Sequence, residues 1–571
     1  MDSPKLEEVL LDIKHEKMVL PALQRKFVWN HEQIEKLFDS IYRGFPIGTV
    51  LSWERHKEDI QNSRDVYYKF LSEYSAYDSY INKKLSKTVL DKHELEIILD
   101  GQQRLSSLYL GIQGTYAYRT KGGKKDKKES YPIRELYFNL EADYEELADE
   151  DYSSFKFLTN KNEIEGHWIK VKDVYQDATE LNNLSDIINS CSDEEKKKLV
   201  TKNYNKLANA LNSLQINIDR ISHKKTMDEV LNIFVRANDG GTKLSKADLL
   251  FSNLTIEWEE ARDQVDDLIE LIRKDYKFYI TSDFIMRAAI YCVSDDIQLK
   301  VEELKKKATL IKDKWKEIEQ ATKSAFAIVS ENWGFNDDDI RAKYSIIPLI
   351  HLCYDKKINS SMKDTIPECL KIYIVVSNIK GIFGGSPDTV LSYIKKNIGS
   401  NIDNFKIDKL STYELPGKRN FVIREKDIDD ILEIEKGEVN SKLVLSLLYP
   451  GLNNQFVFHQ DHMHPESICK NKKNIKDNSE SKKMNEDTVN FIKENYNKIA
   501  NLQLLEGTIN ESKNCTPLEK WVNDKHSNDK ESYLKSNYVD VSVSLKLDDF
   551  VDFYNKRRDK LFNKFKEIFK V

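Results

Sequence analysis

Residues 455–467 read QFVFHQDHMHPES: a short β-forming run, then Asp461-His462, then Pro465, with Asn501, Asn510 and Lys513 further along the chain. Together these residue types suit metal-dependent cleavage of a phosphodiester. That reaction requires a nucleophilic water, a cation to neutralise charge building on the phosphoryl oxygens, and a group to stabilise the leaving oxygen. His462 is the residue to take the proton from water. Asp461 and Asn510, on a strand and a following helix, are hard oxygen ligands for Mg²⁺ (or Mn²⁺), and Mg²⁺ keeps most of its own waters. Lys513 is the cation for the scissile phosphate. An Asp-His pair in a loop is also a common accident, and His459 and His464 read as packing or phosphate contacts before ligands.

Nearer the start, three segments put polar donors beside a β run or a helix start: LPALQRKFVW at 20–29, ILDGQQRL at 98–105 and FVRANDGGTKLS at 234–245. In the second, a strand ends at Asp100, Gly101 permits a tight turn, and a helix begins near Gln102 with Arg104 in its first turn. The N–H groups of a helix start and a guanidinium suit phosphate. A turn with a surface salt bridge is the plainer alternative. No G-x-x-x-x-G-K-[ST] sequence occurs, so nucleotide chemistry here uses a site other than a P-loop.

Asp-His-x-x-Pro, Asn-Leu-x-Leu-Leu and Asn-x-x-Lys resemble the HNH (ββα-metal) nuclease fold in the His-x-x-Pro version found at the C-terminus of GmrSD-type proteins. The resemblance implies that His462 is the general base, Asp461 and Asn510 are metal ligands, and Asn501 is a strut. The paired cysteine clusters that hold a structural zinc in some HNH proteins are missing. The three earlier segments resemble the GmrS-like N-terminal domain, a relative of the ParB and sulfiredoxin fold, through Pro-x-x-Gln-Arg-x-x-x-Trp, Asp-Gly-Gln-Gln-Arg and Phe-x-x-x-Asn-x-x-Gly in that order. That resemblance implies a nucleoside triphosphate (NTP) site built from Gln24, Arg25, Asp100, Gln102, Gln103, Arg104 and Asn238, with Arg236 as a neighbour. GmrSD-type proteins are prokaryotic type IV restriction enzymes that use nucleotide to regulate cleavage of DNA bearing modified bases or a modified backbone. The implied partners are NTP and modified double-stranded DNA, and the implied setting is antiphage defence. Two competing readings are an NTP-switched sensor of modified DNA and an RNA-directed nuclease effector.

The elements that must hold these residues are legible in outline. With 571 residues, several domains are expected. Residues 1–260, the GmrS-like part, mix short β runs with helices: Thr49 to Trp53, Glu96 to Leu99 and Glu135 to Leu140 read as strands. Asn30 with Gln33 caps a helix carrying Ile34, Leu37, Phe38 and Ile41 on one face. Residues 261–435 read as a helical middle domain, with Ala261 to Lys274, Val301 to Glu331 and Tyr344 to Tyr354 helical and Cys369 to Phe383 as its buried core helix. Residues 436–571 form the nuclease part, with a polar mobile loop at 470–485 and a terminal basic helix from Leu547 to Phe569. The fold class is α+β, multidomain and helix-rich; with only 19 Gly and 11 Pro, long helices are favoured.

A net charge of −6 excludes a uniformly basic nucleic-acid coat, so DNA contact must come from local clusters such as Lys121 to Lys128 or the terminal helix. Six scattered cysteines without a CxxC pair fit a reducing, cytoplasmic compartment. No run approaches the roughly 18 apolar residues that cross a bilayer, and the charged first residues lack a signal peptide's apolar centre, so no membrane partner is expected. A homo-oligomer is compatible with the sequence.

Overall fold

A computed structural model describes residues 3–21, 27–61, 66–77, 82–86, 94–124, 127–144, 152–160, 164–176, 182–191, 193–226, 229–230, 233, 250, 254, 258, 260–295, 304–361, 366–450, 458–480 and 484–571. The chain forms two compact units, Met1–Arg262 and Asp263–Val571. The first is α+β and the second is mainly helical with one two-stranded sheet. Among the described residues no helix is long and apolar enough to cross a membrane.

The first unit is built on β1 (Met18–Pro21), β2 (Val50–Arg55), β3 (Tyr67–Tyr68), β4 (Glu73–Ser75), β5 (Leu95–Asp100), β6 (Thr115–Ala117), β7 (Ile133–Asn139), β8 (Phe155–Leu158), β9 (Trp168–Lys170) and β10 (Ile218–Ile221). One mixed sheet runs β10-β2-β5-β1-β3; in the other, β4-β6-β7-β8, strand β9 also pairs with β7. Strand β5 lies inside the first sheet, antiparallel to β2 and parallel to β1. Its Ile98 joins one apolar cluster while Leu95, Ile97 and Leu99 join another, so both faces are covered. That explains an apolar run without polar alternation in this strand.

The helix His31–Arg43 begins as its sequence dictates. Asn30 Oδ1 accepts from Gln33 N–H (2.9 Å) and Gln33 Oε1 accepts from Asn30 N–H (3.0 Å), a reciprocal capping box. Its face of Ile34, Leu37, Phe38, Ile41 and Tyr42 is buried in the cluster shared with β7 and β8. Glu35 is buried with them; its Oε1 accepts from Phe157 N–H (3.0 Å), and burial pushes its carboxyl up to about 7.

In the second unit the helices Ser282–Val293, Trp315–Ala327, Ile346–Lys356 and Glu368–Ile379 carry the core; Leu370, Tyr373, Ile374, Val375 and Val376 of the last are buried. The helix expected from Val301 to Glu331 is divided. Leu304–Asp313 and Trp315–Ala327 are separate helices, and Ile328–Asn332 is a π turn. The segment expected as a mobile loop at 470–485 contains the helix Lys472–Asn478, capped by Asn471, whose side chain accepts from Asn474 N–H (2.9 Å), and anchored by buried Ile475. Polar composition hid that short helix because only one of its positions packs inward. Residues 481–483 lie outside the described residues.

The terminal helix Phe550–Phe569 buries Phe550, Phe553, Tyr554, Leu561, Phe565 and Phe569. Its basic residues do not form an open phosphate face. Lys556 pairs with Asp552, Arg558 with Asp429, Lys560 with Asp540, Lys564 with Glu567 and Lys566 with Glu425. Arg557 is wholly buried, and its guanidinium donates to the carbonyls of Asn537 (2.9 Å), Ala500 (2.7 Å), Leu502 (2.8 Å) and Ile499 (3.3 Å). Buried carbonyls left without donors are costly. Arg557→Ala should therefore destabilise this unit by about 3 kcal/mol or more, read as a lower urea midpoint, and Arg557→Lys should recover little because one ammonium cannot reach all four acceptors.

Candidate functional site

In the second unit β11 (Phe458–His462) and β12 (Leu502–Glu506) form an antiparallel pair with Asp461 opposite Gln503 and His462 opposite Leu502. The helix Gly507–Lys513 follows β12 directly and packs on both strands. This two-strand-plus-helix unit brings Asp461, His462, Asn501, Asn510 and Lys513 into one small region. Residues 455–457, expected as the start of the strand, lie outside the described residues.

Asn501 holds the turn that follows His462. Its Oδ1 accepts from His464 N–H (3.0 Å), while Nδ2 donates to the carbonyls of His464 (3.0 Å) and Tyr496 (2.7 Å). Its own carbonyl accepts from Met463 N–H (2.8 Å). A fully buried amide can satisfy this many backbone groups only at a fixed turn, so the end of β11 has one shape.

Lys513, expected as the cation for the phosphate, turns into the protein. It is completely buried, with Nζ 2.9 Å from Asp461 Oδ2 and donating to the His462 carbonyl at 2.5 Å. Burial lowers its ammonium below the ordinary lysine value, and Asp461 opposes that shift. Gln503 Nε2 also donates to Asp461 Oδ2 (2.8 Å), and Tyr533 Oη donates to Gln503 Oε1 (2.9 Å). Both bonds to Asp461 fall on Oδ2, and Oδ1 receives none from the described residues.

Among the described residues no group of three or more His, Cys, Asp or Glu side chains is placed to hold a metal ion. A hard cation that keeps several of its own waters needs only one or two protein oxygens and no such cluster. Asp461 offers Oδ1, and half-buried Asn510 lies on the packed helix one turn before Lys513. Mg²⁺ accepts such a sparse set because it retains water ligands.

His462 is buried, with Nε2 2.9 Å from Asn497 Oδ1. Burial lowers its imidazole below the ordinary value, opposed by the Asn497 hydrogen bond, so the ring is neutral at pH 7 and can accept a proton. Asn497, Gln503 and Tyr533 escape sequence reading. Gln503 alone leaves a trace, as the polar position inside Leu-Gln-Leu-Leu that falls opposite Asp461 once the register is known.

In the first unit β5 ends at Asp100, Gly101 turns the chain, and the helix Gln102–Gln113 begins. Gly101 has φ +89°, and a Cβ there would lie 2.9 Å from Val50 Cγ2. Arg104 donates from Nη1 to Ile47 O (2.8 Å) and from Nη2 to Thr49 O (2.8 Å), with Asp100 Oδ2 at 3.4 Å. Gly48 makes room for that guanidinium: its φ is +82°, and a Cβ would come within 2.5 Å of Nη1. Gln103 Oε1 accepts from Val28 N–H (2.9 Å) and Trp29 N–H (3.3 Å), and Tyr116 Oη donates to Trp29 O (2.9 Å). Gln102 is buried, Phe27 is core and Trp29 half-buried. The structure thus joins the Asp100–Arg104 segment to the segment ending at Trp29. Gln24, Arg25, Arg236 and Asn238 lie outside the described residues.

His464 is enclosed between Phe550 and Phe553 (ring centroids 5.2 and 4.7 Å), and burial pushes its imidazole down to about 3. Because the folded state resists protonation that the unfolded chain accepts near 6.5, this group's stabilising contribution is complete above about pH 6.5 and is lost as pH falls toward 3. Replacement by phenylalanine, His464→Phe, should flatten the loss of this unit's thermal stability between pH 6.5 and 4; an unchanged pH profile would exclude His464 as its source.

A protein of Methanocaldococcus jannaschii described only as uncharacterized is 25% identical over 293 residues, covering 46% of this chain and 44% of that relative, so the matched part is less than half of the relative's length. Residues 6–255, which contain both joined segments of the first unit, match the family model described as the N-terminal domain of the GmrSD restriction endonuclease.

Proposed function

We propose that this protein is an NTP-regulated, Mg²⁺-dependent endonuclease that cleaves modified double-stranded DNA in antiphage defence. The carrying observation is the end of β11, where a buried neutral His462 adjoins Asp461, whose Oδ1 receives no hydrogen bond from the described residues, on a turn clamped by Asn501. The match of residues 6–255 to a restriction endonuclease domain supports a DNA phosphodiester as substrate. The two-strand-plus-helix unit supports the HNH reading, and the Asp100–Arg104 segment supports an NTP site in the first unit.

In this reading His462 takes a proton from water as the water oxygen attacks phosphorus and the bond to the leaving sugar oxygen breaks; that oxygen is protonated from solvent. Asp461 Oδ1 and Asn510 would hold the divalent ion, which supplies neutralisation of phosphoryl charge when bound. Asn501 fixes the turn after His462, and Lys513 holds Asp461 in place. In the first unit the helix start after Gly101 offers a phosphate the positive end of its dipole. Arg104 holds the 47–49 backbone that borders it.

The test is cleavage of unmodified and hydroxymethylated or glucosylated phage DNA with Mg²⁺, with and without each NTP, while phosphate release is followed in the same reactions. Cleavage should require modification, respond to NTP and stop with EDTA. His462→Ala should lower cleavage by roughly 10²–10⁴-fold, the range for a lost general base, with NTP hydrolysis intact. Arg104→Ala should impair NTP hydrolysis first. Parent-like cleavage by His462→Ala would remove the nuclease assignment, NTP hydrolysis without any cleavage would favour a sensor, and cleavage confined to RNA would favour an RNA effector.

A further inference from the structure

Behind His462 runs a chain of hydrogen bonds that the cleavage chemistry above leaves unused. Asn497 Nδ2 donates to Glu435 Oε2 (2.8 Å), and the other end of the same amide, Oδ1, lies 2.9 Å from His462 Nε2. A carboxylate can only accept, so the amide must turn its NH₂ toward Glu435 and its oxygen toward His462. That oxygen can only accept, so Nε2 carries the hydrogen. A neutral imidazole has one N–H, which leaves the lone pair on Nδ1. The support is itself fixed by backbone bonds. Lys436 N–H donates to Asn497 O (2.9 Å), Ile499 N–H donates to Ile434 O (3.1 Å), and Glu435 bridges Lys498 in antiparallel fashion.

We infer that Asn497 and Glu435 are positioning residues of the proposed nuclease, holding His462 as its Nε2–H tautomer so that Nδ1 is the atom that takes the proton from water. The inference rests on the nuclease reading. As the water oxygen bonds to phosphorus and the bond to the leaving sugar oxygen breaks, the water proton passes to Nδ1. The charge that appears on the ring is met through Nε2–H by the Asn497 carbonyl dipole, which is in turn polarised by the Glu435 carboxylate.

Two measurements on the full chain test this. Nitrogen-15 NMR of histidine-labelled protein, with the His462 signals identified by their loss in His462→Ala, should show a protonated Nε2 and an unprotonated Nδ1. In Asn497→Leu these signals should shift toward a mixture of tautomers, while Glu435→Gln, whose Oε1 still accepts from Asn497, should keep the parent pattern. In Mg²⁺-dependent cleavage of hydroxymethylcytosine-containing phage DNA, Asn497→Leu should lower kcat about 10–100-fold, the range for lost outer-shell support of a site, with KM little changed. Glu435→Ala should lower kcat in the same direction, and Glu435→Gln should restore it. An Nδ1–H pattern in the parent, or parent tautomer and kcat in a folded Asn497→Leu, overturns the relay. If His462→Ala cleaves like the parent the nuclease reading falls with it; if His462→Ala is dead while Asn497→Leu is fully active, only the relay falls.

Discussion

One ammonium group organises the end of β11. Lys513 Nζ has no contact with solvent, and a lysine taken out of water costs several kcal/mol unless it is paired and hydrogen-bonded. Asp461 Oδ2 and the His462 carbonyl supply that pairing, one from each residue of the Asp-His pair. The ammonium cannot be satisfied unless the helix Gly507–Lys513 lies against β11, and β11 cannot take that helix unless Asp461 points toward β12. Gln503 then shares Asp461 Oδ2 from the facing strand, and Tyr533 fixes Gln503. The buried charge therefore specifies register as well as position: a one-residue slip of β11 against β12 would turn Asp461 away and strand the lysine.

The same principle operates three times more, with backbone carbonyls as the partners. Arg557 gathers carbonyls on both sides of Asn501, and Asn501 gathers the turn after His462. Arg104 in the first unit gathers Ile47 and Thr49. Each is a polar side chain, buried or half-buried, that ties an irregular stretch of backbone through its carbonyls. Irregular backbone of this kind is what sites require, because a strand or helix by itself presents side chains only at its own period.

How much of this was legible in the sequence follows from the range of the interactions. Local signals are the legible ones: the Asn30–Gln33 cap and the Asp100-Gly101 turn into a helix both depend on neighbours within a few residues. The order of strands, with β10 beside β2 and β1 beside β5, depends on pairings distant in sequence and had no local signal. At the site, residue types mark Asp461, His462 and Asn501 as a group, but the direction of Lys513 has no local signal, since a lysine in such a motif reads as a phosphate ligand until its burial is known. Asn497 and Glu435 were invisible for the same reason: their meaning lies in one amide whose orientation is set by a carboxylate from a distant segment.

The paired cations of the terminal helix bear on where a polyanion can be met. Five of its basic side chains sit within ion-pair distance of carboxylates, so each of these charges is met by an acidic neighbour. Such pairs at a surface contribute about 0–1 kcal/mol each, which a phosphate diester could match by replacing one carboxylate. Replacement would leave that carboxylate beside the bound phosphate, and like charges at short range offset the gain. Arg557 is outside this competition, because its guanidinium is buried and committed to four backbone carbonyls. The basic character of this helix therefore serves first to fasten it to the rest of the unit, and phosphate affinity must be judged from cations whose nearest neighbours are not acidic.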